Sequence, residues 1–408
     1  QGMFVAVEGC LHGELDTLYK TIAEAERRND IKVDLLLIAG DFQSVRNVQD
    51  LACLSCPEKY KRMMNFHRYF SGEKEAPILT IFIGGNHEAS NYLRQLYFGG
   101  WVAKNIYYLG HSGVVNFAGL RIGGVSGIYK SGDFLKGHYE LPPYTSGTIK
   151  SAYHVRAYEF LKLSLLEQPM DIFISHDWPT NIAKHGDIQA LLRKKSFLRH
   201  EVETGTLGNP HSEKLLHQLQ PSFWFAAHLH VKFPAVVKHP TPEGQPQKTT
   251  KFLALDKVLP GRDFLQILPF PDPVAGQEKK LTLDKEWLAI LRGTISLFGV
   301  DARELPMPGD LKTAIQEQRE WVDSTFKPAD LFVSDFTPDG PTHDPALPNV
   351  QPAWHEHPYT LDLLRRIGVQ PPPPPPGAAA ESNPEEIDLD EMEDAPPPED
   401  KNPDEIDI

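Results

Sequence analysis

Cysteine is scarce in this 408-residue chain. Only Cys10, Cys53 and Cys56 occur, an odd and sparse set that argues against a disulfide framework and for a reducing compartment. Long hydrophobic runs are missing as well. No stretch approaches the roughly 20 apolar residues of a membrane span, and no signal-peptide pattern precedes the first expected strand. Gln1 and Gly2 ahead of Met3 read as a cleavage remnant and are set aside. Net positive charge is absent too: the formal balance is −14, which at first speaks against a nucleic-acid partner. Its distribution removes that objection. Residues 381–408 hold 13 acidic residues against one Lys, so the other 380 residues carry a balance of −2. A nearly neutral body leaves room for a local basic surface.

What is present is an ordinary globular composition, 40% hydrophobic and 24% charged, able to bury a sizeable core. Apolar runs at 33–39 (VDLLLIA), 78–83 (ILTIFI), 170–175 (MDIFIS) and 223–227 (FWFAA) are bounded by Gly or polar turns and predict buried strands. Alternation through Val5 and Val7 predicts another strand before Gly9, and 121–128, 252–255 and 264–267 add more. Leu15, Leu18, Tyr19 and Ile22 recur at helical spacing, as does the pattern over 154–166. The fold class is therefore α/β, with polar residues gathered just past the strand ends, where such folds place their sites. Residues 286–298 and 311–326 predict amphipathic helices of a separate C-terminal segment. Six prolines at 371–376 belong to a Pro-rich acidic tail over 370–408, which cannot bury a core and is expected to be disordered.

The strand ends carry a specific set of side chains: Cys10 and His12, then Asp41, Asn86 and His87, His176, and His228 with His230. Any one of these alone is an ordinary turn cap or surface pair. Five clusters at equivalent strand ends form a constellation. Two metal ions about 3.5–4 Å apart need about this many donors and one carboxylate to bridge them. Asp41 is the natural bridge, Asn86 offers a neutral oxygen, and the histidines supply nitrogen suited to zinc, iron or manganese. Cys10 adds a thiolate, softer than a carboxylate, which favours zinc or iron over magnesium or calcium and makes the two sites unequal. Cys53-x-x-Cys56 has no second pair and reads as plain loop rather than a zinc site.

The order Cys10-x-His12, Gly40-Asp41, Gly85-Asn86-His87-Glu88, His176, His228-x-His230 resembles the calcineurin-like metallophosphoesterase pattern. Two positions depart from it: Cys10 stands where that family usually has Asp, and Ala227 where it has Gly. The cysteine, together with GDFQSVRN, YFSGEKEAPILTIFIGGNHEASN and HLHVKF, closely resembles the RNA lariat debranching enzymes from Met3 to about Arg262, and more weakly beyond. The resemblance implies a four-layer αββα sandwich with a mainly helical C-terminal segment. It implies hydrolysis of the 2′–5′ phosphodiester at the branch point of excised intron lariat RNA, through attack by a metal-activated water with His87 as general acid. It implies two divalent metal ions, zinc and/or iron expected and manganese the alternative. One would be held by Cys10, His12, Asp41 and His230, the other by Asp41, Asn86, His176 and His228. It also implies a nuclear location, branched RNA as partner, and splicing-associated proteins as candidates for the C-terminal segment. The domains expected are 3–240, a catalytic domain to which strands at 251–267 return; 241–369, a C-terminal debranching-enzyme domain; and the tail at 370–408.

Residues 126–156 form a long irregular stretch in which aromatic residues alternate with cations, a composition suited to stacking splayed bases and meeting phosphates. Debranching enzymes carry a recognition loop in this interval, so Tyr129, Lys130, Lys136, Tyr144, Lys150 and Arg156 are the expected substrate-binding residues. An ordinary surface loop with some tyrosines packed inward is the competing reading. Arg193-Lys194-Lys195 with Arg199 reads first as a solvated helix face and second as a phosphate track or nuclear-targeting patch. Two rival functions stand beside debranching. A phosphatase of different substrate range has no need of a long basic-aromatic loop. An RNA-binding scaffold with structural metals would not keep a proton donor such as His87 to spare.

Overall fold

The computed structural model describes residues 2–241, 243–271, 278–304, 311–374 and 376. Thirteen strands occur among the described residues: β1 Met3–Glu8, β2 Val33–Ile38, β3 Leu79–Phe82, β4 Gly100–Ala103, β5 Ile106–Tyr108, β6 Ser112–Phe117, β7 Leu120–Val125, β8 Ile172–Ser175, β9 Phe223–Ala226, β10 Phe233–Lys238, β11 Thr249–Ala254, β12 Leu265–Phe270 and β13 Leu281–Leu283. They form a six-stranded sheet, β12-β1-β2-β3-β5-β4, and a seven-stranded one, β10-β11-β9-β8-β7-β6-β13.

The apolar runs are continuous because both faces of each sheet are covered. Successive residues on a strand point to opposite faces, and the two sets enter different cores. Val5, Val7, Leu35, Leu37, Ile81 and Ile83 of the first sheet meet Ile122, Ile172, Ile174 and Phe225 of the second in a shared central layer. Ala6, Leu36, Ile38 and Phe82 face the other way, against Leu15, Leu18 and Ile22 of helix Leu15–Asn29. Phe173 and Trp224 likewise pack outward against Leu163 of helix Ala157–Ser164 and Leu215 of helix Pro210–Leu219. The result is four layers, helix-sheet-sheet-helix. Strands β1, β2 and β3 run parallel, as do β7, β8 and β9, so their carboxyl ends and the loops that follow share one rim.

Helices do form at Lys285–Thr294 and Lys312–Thr325, but the segment that carries them is not separate in space. Strand β13 pairs antiparallel with β6, extending the second sheet. Trp287, Leu288, Ile290 and Leu291 are buried in the same core as helix Ala157–Ser164. The reason is ionic as well as apolar. Arg121 on β7 makes two 2.9 Å hydrogen bonds to the Asp284 carboxylate and a 2.8 Å one to Glu286, all three side chains being buried. A fork-to-carboxylate pair of this kind fixes geometry as well as charge. The expected disordered tail lies outside the described residues except for residues 370–374 and 376.

Candidate metal centre

Five loops of the shared rim supply the site. After β1 the chain turns at Gly9, where any Cβ would stand 2.3 Å from the Asp256 carbonyl oxygen. This close approach sets Cys10 and His12 over the strand end, with the His12 N–H donating to Asp41 O at 2.7 Å. Gly85 is equally constrained: a Cβ there would lie 2.2 Å from Asp41 Oδ1 and 2.7 Å from His176 Cε1. Four of the candidate ligands adopt left-handed backbone, His12 (φ 47°), Asp41 (48°), His228 (65°) and His230 (46°). Non-glycine residues rarely do so, and such strain, about 1–3 kcal/mol per residue, concentrates at functional sites.

Cys10, His12, Asp41 and His230 bring one ligand atom each within 4.8 Å of one another. His12 Nε2 lies 3.4 Å from His230 Nε2 and 3.7 Å from Asp41 Oδ2. Asp41 turns its other oxygen away, Oδ1 lying 3.4 Å from His176 Nε2, and that nitrogen is 3.2 Å from Asn86 Oδ1. His228 stands beside this second group, its ring centroid 5.1 Å from that of His176, and its N–H donates to Cys10 Sγ at 3.2 Å. The seven side chains named from the strand ends as ligands therefore converge around the two oxygens of one carboxylate.

The electrostatics of this arrangement call for cations. Burial drives His12 and His228 down to about 3 and His230 to about 2, so all three are neutral imidazoles with lone pairs to give. Burial also pulls His176 down, but the Asp41 charge and hydrogen bond outweigh it and hold His176 above its ordinary value. His176 Nδ1 is 2.7 Å from the Ala39 carbonyl and must donate its proton there, leaving Nε2 against the oxygens of Asp41 and Asn86. Three lone-pair atoms at that spacing need a positive charge between them, a proton or a metal. At Cys10, burial and the Asp41 charge push the thiol up, so a cation in the cluster is what would free the thiolate. The donor set fits a two-metal group of borderline-soft character.

His87 stands next to this centre and outside it. Its N–H donates to Asp41 Oδ1 at 2.9 Å, its ring centroid is 5.6 Å from that of His12, and Nδ1 is 3.0 Å from the Ser55 carbonyl. A carbonyl only accepts, so Nδ1 carries a proton and Nε2 is left for chemistry. Ser55 was not legible as a site residue because its contribution is a backbone oxygen. Glu88, the last residue of the Gly-Asn-His-Glu motif, has a bracing task that the motif does not reveal. Its carboxylate accepts from the N–H groups of Phe42 (2.7 Å), Gln43 (2.8 Å) and Gly85 (2.9 Å), joining the loop after β2 to the loop after β3.

The loop at 126–156 corrects part of the sequence expectation. It is rooted at the rim, with Gly127 N–H donating to Gly84 O at 2.9 Å. Lys130 and Lys150 are exposed, as substrate contacts should be, and Tyr129 is half-buried against Phe134 and His211. Lys136 is paired with Asp133 at 2.9 Å. Arg156 does not face outward. It is fully buried, paired with Glu140 and donating to Asp133 O at 2.8 Å and Ser151 O at 3.0 Å. Tyr144 is buried too. The loop carries its own carboxylates, Asp133 and Glu140, and these consume the cations that spacing alone offered to RNA. In the basic cluster Arg193, Lys194 and Arg199 are exposed and Lys195 is buried, the arrangement of a mostly solvated face.

Residues 3–232 match the family model described as calcineurin-like phosphoesterase, and residues 247–372 match lariat debranching enzyme, C-terminal domain. The chain is 56% identical over 307 residues to lariat debranching enzyme A of Xenopus laevis, covering 75% of this chain and 57% of that one. It is 49% identical over 382 residues to lariat debranching enzyme of Gallus gallus, covering 90% and 70%. Against lariat debranching enzyme of Homo sapiens it is 58% identical over 308 residues, covering 75% and 56%. The matched stretch thus spans little more than half the length of the frog and human proteins.

Proposed function

Because the chain belongs to the lariat debranching enzyme family and carries its calcineurin-like phosphoesterase domain, we propose that it hydrolyses the 2′–5′ phosphodiester at the branch point of lariat RNA. The observation that carries this reading is the division of labour around Asp41. One carboxylate faces a thiol-containing donor group with one oxygen and a His–Asn group with the other, beside a histidine that belongs to neither.

Cys10, His12, Asp41 and His230 would hold one divalent cation, and Asp41, Asn86, His176 and His228 the other. Zinc or iron is favoured at the cysteine side, with manganese the alternative. When bound, such a pair supplies Lewis acidity to phosphoryl oxygens and lowers the pKa of a coordinated water. The remaining chemistry belongs to the chain. Ala39 O and Asp41 fix the ring of His176, and Glu88 fixes the Asp41 and Gly85 loops relative to each other. His87, with Nδ1–H committed to Ser55 O, can hand the departing 2′-oxygen a proton from Nε2 in its doubly protonated, imidazolium form. Lys130 and Lys150 are the exposed cations of the loop at 126–156 and would meet phosphates flanking the branch. A nuclear site of action and contacts with splicing-associated proteins follow from this reading alone. No helix among the described residues is long and apolar enough to cross a membrane.

Three substrates test the proposal on purified protein whose metals have been quantified: a branched 2′–5′ RNA, its linear 3′–5′ counterpart and a small aryl phosphate. Selective cleavage of the branched RNA is expected. Preference for the linear RNA or the aryl phosphate would overturn debranching in favour of a nuclease or a small-molecule phosphatase.

A further inference from the structure

The segment that follows helix Lys312–Thr325 runs with little regular structure past the rim loops, tied to them by polar contacts at several points. Arg46 donates to Asp339 O at 2.9 Å, and Asn47 to Pro341 O at 2.7 Å. Asn47 is also the N-cap of the short helix Val48–Ala52, accepting from Gln49 N at 2.9 Å and Asp50 N at 3.2 Å. The C-cap of that helix is Cys53. Burial pushes the Cys53 thiol up, so it stays protonated and able to donate, and it lies 3.8 Å from Gln351 Oε1. Both ends of the helix are therefore held by the C-terminal segment. Two residues beyond Cys53 is Ser55, whose carbonyl sets His87.

Gln351 makes a second attachment. Its Oε1 accepts the Tyr144 N–H, and its Nε2 donates to Tyr144 O at 3.1 Å. One side-chain amide thus pairs with both backbone groups of a single residue, as a neighbouring strand would. Tyr144 lies in the middle of the loop at 126–156. The same loop is held further along by Gly137 N–H to Asp301 O at 2.9 Å and His138 N–H to Gly299 O at 2.8 Å. Those bonds steady the loop, whereas Gln351 alone among these residues touches it and the His87-setting loop together.

We propose that Gln351 is a positioning residue for substrate recognition. It fixes the distance between the loop that sets His87 and the loop that receives the RNA flanking the branch. The idea rests on the debranching reading for its substrate, not for its structural content. A branched RNA spans both loops and feels their spacing, whereas a small diester meets only the metal centre. Gln351→Ala removes the bonds to Cys53 and to both backbone groups of Tyr144. Gln351→Glu keeps an acceptor for Tyr144 N–H and the Cys53 thiol but gives up the bond to Tyr144 O.

The test compares wild type, Q351E and Q351A on a branched RNA and on bis(p-nitrophenyl) phosphate, with hydrogen exchange measured on the same proteins. For branched RNA, kcat/KM should fall in that order, by about tenfold at Q351A for the removal of its hydrogen bonds, and through KM rather than kcat. Hydrolysis of the small diester should stay within about twofold, since it is too small to span the two loops and its p-nitrophenolate leaving group departs without a proton from His87. Amide exchange should accelerate around Tyr144 and over 48–56 in Q351A. Equal losses on both substrates, or an unchanged KM for the RNA, would reduce Gln351 to ordinary structural support. Unchanged exchange in the two loops would overturn the brace even for an enzyme that prefers another substrate. A wild type that fails to favour branched RNA would count against the debranching reading and leave the exchange result to decide the brace.

Discussion

The Ser55 carbonyl oxygen lies 3.0 Å from His87 Nδ1, so a backbone atom, not a carboxylate, holds the Nδ1 proton and orients the ring beside the candidate metal centre. A neutral acceptor orients the ring without adding charge to it. His87→Ala should retain metal and RNA binding while turnover falls by roughly 10²–10⁴, the usual worth of a positioned general acid. Metal analysis and single-turnover cleavage check this together. Unchanged single-turnover rates would remove His87 from proton transfer.

Cys10 is the one soft donor in a set otherwise made of nitrogen and oxygen. Cys10→Asp should lower the preference for zinc and iron and raise activity with magnesium or manganese, because a carboxylate is a harder ligand. Competition among these metals after chelation, followed by metal analysis and debranching assays, gives the answer. An unaltered order of preference would mean the thiolate does not select.

Arg156 and the two exposed lysines of the loop at 126–156 should behave as different classes of cation. Arg156→Ala strands the buried Glu140 and should cost about 3–5 kcal/mol in denaturant unfolding. Lys130→Ala or Lys150→Ala should leave stability alone and reduce the slope of log affinity against log salt by about 0.7 for each phosphate no longer neutralised. Salt titrations of RNA binding that show the same slope for these lysine variants and wild type would take them out of the interface.

Lys162 is fully buried, with Nζ 4.5 Å from the ring centroid of Tyr158, 5.0 Å from Tyr97, 5.3 Å from Trp287 and 5.8 Å from Phe98. Burial lowers it from 10.5 to about 8, against the opposing pull of Glu159. The unfolded chain therefore binds more protons between those values, and stability should rise as pH climbs from about 8 toward 10.5. Below about 8 the penalty is present in full, at most about 3 kcal/mol. Lys162→Met should be more stable than wild type at pH 7, and that advantage should shrink by pH 10. Urea unfolding at both values checks the sign; an advantage that grows with pH would contradict it.

The convergence of the candidate ligands was legible because parallel strands deliver their loops to one rim, so residues far apart in sequence share the same local signature of apolar run, small residue and polar side chain. Cys10, Asp41, Asn86 and His176 all carry it. The loop at 126–156 was legible only in part. Composition reveals that Arg156 is a cation, but not that Asp133 and Glu140 fold back upon it. Ser55 and Gln351 were hidden for different reasons. Ser55 contributes a backbone atom that every residue possesses, and Gln351 acts on residues more than 200 positions away. The joining of 281–294 to the second sheet was missed because β13 is only three residues long. So short a strand carries no readable period.

The left-handed backbone at His12, Asp41, His228 and His230 has a consequence for how such a rim can diverge. Each of these turns is closed by neighbouring chain, so the direction of the donor is set by the number of residues between strand end and ligand. One residue inserted between Gly9 and His12, or between Ala227 and His230, would swing an imidazole out of the cluster with every donor still present. In this chain the length of these turns, more than the identity of each donor, holds the centre together.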